Sequence, residues 1–118
     1  VKTYPARFVG EVAYGDVYAA NPPSEIGDVF RVPRFEDANN PDWSHGPYLG
    51  VHCACGARHL AALAPYAFSN GASWTLSSES PVHFDPSVVT DVGSEPHCHF
   101  FVHNGELQML DDTTSPLK

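Results

Sequence analysis

Positive charge is scarce in this chain. Only six of its 118 residues are Lys or Arg, against 14 Asp and Glu, and the stretch from His59 to Leu117 carries none. Phosphate backbones are bound by cations, so no nucleic-acid partner is expected, and an anionic membrane surface is disfavoured for the same reason. Long hydrophobic runs are also missing. No segment approaches the roughly 18 apolar residues of a transmembrane helix, and the N-terminal residues lack the apolar stretch of a signal peptide. Uninterrupted stretches are rare, because nine Gly and 11 Pro punctuate the sequence, and this disfavours a helical bundle or coiled coil. Cysteine is sparse and odd in number, at three. Cys53 and Cys55 are too close for an ordinary bridge, so metal ligation in a reducing compartment fits better than a disulfide framework.

What remains describes one small β-rich domain. Apolar residues make up 42%, an ordinary globular share, and the length suits a single core. Arg7 to Tyr14 and Asp28 to Val32 read as short strands, with Asn21-Pro22-Pro23-Ser24 as a loop between them. Glu36 to Pro47 has little periodicity and reads as a loop in which Trp43 and His45 are candidate anchors. Residues 1–47 are therefore expected to form an extended N-terminal arm or an edge hairpin, and residues 48–118 the compact domain.

Within residues 48–118, Tyr48 to His52 is a strand candidate running into Cys53-Ala54-Cys55-Gly56. Arg58 to Ala64 has a helical composition but the length of a returning strand, and Pro65 ends it. Ala72 to Leu76 reads as a strand. Pro81 to Val89 is extended but interrupted by Pro86, so no regular central strand is expected there. Cys98 to His103 is the strongest strand signal. Asn104-Gly105 is the favoured two-residue hairpin turn, and Glu106 to Leu110 is the partner strand.

Two segments carry ligand chemistry. Cys53-x-Cys55-Gly56 places two sulfurs near one another, with Gly56 allowing a sharp turn behind them. His97-Cys98-His99 is the second segment. Thiolates and imidazoles are good zinc ligands, and two distant pairs would complete a tetrahedron. The preferred set is Cys53, Cys55 and Cys98 with one of His99 or His59; His83, His97 and His52 come after these. Strand alternation puts Cys98 and His99 on opposite faces, which raises His59. A closed four-ligand site stabilises, whereas an open position would permit a hydrolytic zinc with Asp85 or His83 as base. No catalytic residues are assigned. Ser87 has His83 and Asp85 close in sequence, but no nucleophile elbow surrounds it and Pro86-Ser87 reads as a turn. Asp111-Asp112 reads as a solvated acidic pair.

The succession Cys53-x-Cys55-Gly56, Trp74-Thr75-Leu76, Pro81 through Val88, Cys98-His99-Phe100-Phe101-Val102 and Asn104-Gly105 resembles a family of small uncharacterised proteins frequent in tailed-phage and prophage genomes. Its members often carry the automatic label "ammonia monooxygenase", which nothing in this acidic chain supports. The resemblance covers about residues 48–118. It implies a zinc-binding β domain of phage type and no known reaction, with Cys53, Cys55, Cys98 and His99 at motif positions. His83 and Thr113-Thr114 depart from the pattern.

These readings converge on a mainly β, single-domain antiparallel fold stapled by one structural Zn2+. The expected role is a non-enzymatic protein-binding domain, a virion accessory protein in contact with other virion proteins. The alternatives are a host-factor binder and a zinc hydrolase. The expected location is the virion or host cytoplasm, and the oligomeric state is left open.

Overall fold

The computed structural model describes residues 2–17, 25–37, 40–90 and 96–118. Among these residues, eleven strands run in chain order, with a single turn of 3-10 helix at Tyr14–Asp16. They are β1 (Lys2–Pro5), β2 (Arg7–Glu11), β3 (Asp28–Val32), β4 (Phe35–Asp37), β5 (Asn40–His45), β6 (Tyr48–His52), β7 (Arg58–Ala62), β8 (Thr75–Glu79), β9 (Val82–Val89), β10 (His99–His103) and β11 (Glu106–Met109). A five-stranded antiparallel sheet has the order β1-β11-β10-β9-β8, and a four-stranded sheet the order β2-β3-β6-β7, while β4 and β5 form a separate ribbon. No helix among the described residues is long and apolar enough to cross a membrane. The mainly β expectation holds.

One core joins the two sheets. Val29, Leu49, Val51 and Ala61 from the four-stranded sheet share a buried cluster with Phe84, Val88, Phe100, Val102, Leu107 and Met109 from the five-stranded one. The four-stranded sheet is covered on its other face too, where Phe30, Val32 and Val17 form a second cluster beside Tyr48 and Leu60. Burial on both faces explains why every residue of β3 but Arg31, and every residue of β6 but Tyr48, is buried. The five-stranded sheet alternates instead. In β10, Phe100 and Val102 point inward, while His99, Phe101 and His103 face outward. That outward, polar face is where chemistry can be placed.

Local signals and tertiary context part company at several points. Among the described part of residues 1–47, expected as an arm or edge hairpin, β1 to β3 lie within the two sheets and β4 and β5 form the separate ribbon. β1 and β2 are edge strands, but β3 is bonded on both sides, parallel to β2 and antiparallel to β6. Arg58 to Ala64 carries no helix. The tight turn after Cys53 returns the chain directly against β6, and the pairing of Val51 with His59 and Leu49 with Ala61 overrides a weak helical preference. The expected loop from Glu36 holds the β4–β5 ribbon, with His45 stacked on Phe35 at 5.3 Å; the Trp43 side chain lies outside the described residues. Pro86 does not end its strand, because the register between β9 and β10 shifts around it. The Asn104-Gly105 turn forms as expected, with both residues at positive φ.

Candidate hydrolytic centre and metal cluster

The register shift in β9 presents a serine. Phe100 pairs with Val88 and Val102 with Phe84, so β9 spends two residues more than β10 over the same span. An insertion of two preserves the alternation of a strand, so Phe84 and Val88 still point to the core and Ser87 stays on the outward face. The indole Nε1–H of Trp74 donates to the Ser87 carbonyl at 3.1 Å and fixes the backbone there.

His99, the first residue of β10, lies on the same outward face. Its Nε2 is 3.0 Å from the Ser87 hydroxyl. Its Nδ1 is 3.0 Å from one carboxylate oxygen of Asp112 and 3.1 Å from the other. An acceptor at Nδ1 places the imidazole proton there, which leaves the Nε2 lone pair to accept the Ser87 O–H. The hydrogen bond from His99 holds the Asp112 carboxyl below its ordinary range, so it is ionised across neutral pH. Ser87, His99 and Asp112 thus form a nucleophile, base and orienting carboxylate in hydrogen-bonded sequence. One feature departs from most such sets: the Asp112 side chain is 62% exposed.

His99 was a candidate metal ligand, and the geometry removes it from that role. Both its nitrogens are committed to Ser87 and Asp112, and strand alternation turns it away from Cys98, which is buried. The metal candidates that do meet are Cys53, Cys55, His59 and Cys98, whose ligand atoms all lie within 4.8 Å of one another. The hairpin supplies three of them. Gly56, at positive φ, donates its N–H to the Cys53 carbonyl and closes the turn, and β7 then brings His59 back beside Cys55. Cys98 immediately precedes β10 of the other sheet.

The spacing fits a tetrahedral ion. Zinc–sulfur and zinc–nitrogen bonds of about 2.3 and 2.0–2.1 Å imply sulfur–sulfur and sulfur–nitrogen edges of about 3.8 and 3.6 Å. The Cys53 and Cys98 sulfurs are 3.7 Å apart, and the Cys55 sulfur lies 3.5 Å from His59 Nε2. Burial is the main cause pushing the Cys53 and Cys98 thiols up from their ordinary range. A bound cation reverses that preference by stabilising thiolates. The cluster can hold a metal ion, and its chemistry is compatible with zinc.

His83, the next candidate in the sequence, forms a third group with Asp85 and with His103, which the sequence did not single out. Their rings stack at 4.4 Å, and both Nε2 atoms contact the Asp85 carboxylate, at 3.0 and 2.8 Å. The Asn104 N–H donates to His83 Nδ1, so the His83 proton sits on Nε2 and points at Asp85. This favours a staple across the β9 register shift over a cation site. The hydrogen bond from His103, followed by that from His83, holds Asp85 below the usual carboxylate range. A lowered folded-state value stabilises the fold above the unfolded pKa, and that contribution is lost as pH falls through the folded value. Asp85→Asn is therefore expected to lower the melting temperature at pH 7, with the gap closing as pH falls through and below the ordinary carboxylate range. A gap independent of pH would mean that the charge contributes nothing.

Sequence reading considered Ser87 only with its neighbours His83 and Asp85, and so missed its partners. His99 is 12 residues away and Asp112 a further 13. The usable signal was parity, since His99 faces outward on the strand next to the one carrying Ser87.

A family model described as "Bacterial ubiquitination-like system serine protease (BubE)" matches residues 29–110, more than two thirds of the chain. The chain belongs to the BubE family. Ser87 and His99 fall within the match, and Asp112 lies two residues beyond it. This membership overturns the expectation of a non-enzymatic virion accessory protein of phage type, along with its host-binding alternative. The metal-hydrolase alternative named hydrolysis but gave the nucleophile to a zinc-bound water. No curated protein and no solved structure matches the chain.

Proposed function

We propose that this chain is a serine hydrolase of acyl bonds, a protease acting on a ubiquitin-like protein or its conjugates. The observation that carries the reading is the unbroken chain from Ser87 Oγ through His99 to Asp112, with contacts of 3.0 Å on both sides of the imidazole. BubE membership supports the serine nucleophile and suggests the substrate class. Ser87 Oγ attacks the scissile carbonyl as His99 Nε2 takes its proton. His99 then protonates the leaving amine, and a water activated by the same nitrogen hydrolyses the acyl ester on Ser87. Asp112 keeps the Nδ1–H tautomer and stabilises the imidazolium.

The metal cluster has a separate task in this reading. Cys53, Cys55, His59 and Cys98 would hold a zinc ion and so tie the β6–β7 hairpin to the start of β10. Its contribution would be stability, because protein ligands would leave no position for water. The protein partner is the substrate.

A fluorophosphonate probe tests the reading. The folded protein is expected to take up one adduct, mapped to Ser87, while protein unfolded in urea takes up none. A ubiquitin-like protein with a C-terminal extension is expected to be trimmed by the wild type. Absence of any Ser87 adduct on folded protein would overturn the proposal.

A further inference from the structure

Asp112 raises a physical problem. It is mostly exposed, it follows the last residue of β11 by three positions, and it lies on irregular chain. An exposed carboxylate on such a segment samples many rotamers and backbone states, and each departure leaves His99 without its orienting partner.

The segment is held on either side of Asp112 by the peptide groups of His99, and beyond that by the His97 carbonyl, which accepts from the Thr114 and Ser115 N–H groups. Before Asp112, the Leu110 N–H donates to the His99 carbonyl at 2.8 Å. After it, the Thr113 hydroxyl accepts from the His99 N–H at 3.0 Å and lies 3.1 Å from the His99 carbonyl, to which it can donate. The Thr113 N–H closes the intervening turn onto the Leu110 carbonyl at 3.0 Å. The Thr114 hydroxyl goes to His97 instead, accepting from its N–H and meeting its ring Nδ1 at 3.0 Å. One hydroxyl thus fastens the base's own backbone to the residue next to the orienting carboxylate.

We infer that Thr113 is a positioning residue of the hydrolytic centre, acting by clasping the Asp112 loop to His99; this rests on the reading of Ser87, His99 and Asp112 as the triad. Thr113 touches no substrate. Its side chain restricts Asp112 to the geometry in which both carboxylate oxygens reach Nδ1. Valine keeps the branched shape of threonine and removes both hydroxyl contacts, whereas serine keeps the hydroxyl.

The test is a double-mutant cycle on the rate of Ser87 labelling by a fluorophosphonate and on kcat and KM for an activated ester. Thr113→Val is expected to lower labelling and kcat by about 10- to 100-fold with KM little changed, as expected for a misplaced catalytic group. Thr113→Ser is expected to restore most of the loss, and Thr114→Val, which removes only hydroxyl contacts to His97, to cost less than Thr113→Val. In an Asp112→Ala background, Thr113→Val is expected to add little, because the residue it positions is already gone. Labelling of Thr113→Val at the wild-type rate, multiplicative losses in the double variant, failure of serine to rescue, or an unfolded Thr113→Val chain would each overturn the inference. Failure of the wild type to label at Ser87 would instead sink the triad reading.

Discussion

Ser87→Ala and His99→Ala are each expected to reduce hydrolysis by about 10⁴-fold or more, to the level left by binding alone. The nucleophile and its base act as one unit, so the double variant should be no worse than either single one. Asp112→Ala should behave differently. Where the carboxylate is buried, its loss costs on the order of 10⁴. Here the carboxylate is 62% exposed, and water screens its field at His99. The expected loss is therefore nearer 10- to 100-fold, the scale of imperfect orientation rather than of a missing charge. Steady-state kcat/KM on an activated ester measures all three. A Ser87→Ala protein that keeps wild-type activity would return the reaction to the metal cluster and remove the serine mechanism. A loss of 10⁴ in Asp112→Ala would mean that substrate covers the carboxylate during turnover.

The second large effect concerns the metal cluster, and it is expected in stability. Metal analysis of the purified protein should give about one zinc per chain. Cys53→Ser and Cys98→Ser should abolish that content and lower the melting temperature by on the order of 10 °C or more, because a bound ion would join segments 45 residues apart in sequence. A chelator added to wild type should do the same, and activity should fall with the fold. His99→Ala provides the contrast. It is expected to keep its zinc and its melting temperature while losing hydrolysis, whereas His59→Ala should bind metal weakly and melt early. Full stability after chelation would mean that the four side chains pack as ordinary buried groups. Loss of zinc in His99→Ala would put the imidazole back among the ligands and contradict its geometry.

Much of the outward face of the five-stranded sheet was legible from alternation alone. His99, Phe101 and His103 against Phe100 and Val102 give the two faces of β10 directly, and Asn104-Gly105 fixes the turn to β11. The cysteine pattern named three of the four cluster residues, and parity already argued for His59 over His99. Other features were invisible locally. In Arg58 to Ala64 composition leaned to helix and only the length suggested a returning strand, because its partner β6 decides the matter. Nothing in Asp112 distinguishes it from Asp111, because its role comes from a turn that Thr113 fastens across to His99.

Composition and short-range pattern therefore determined the class of fold, the poverty in cations and the residues able to bind a soft metal, because each depends on side-chain identity or on neighbours within a few positions. Only the tertiary structure decided which histidine joins the sulfurs and which faces the serine. That choice depends on how two sheets stack and how β9 slips its register against β10, and both are long-range properties that no window of sequence contains.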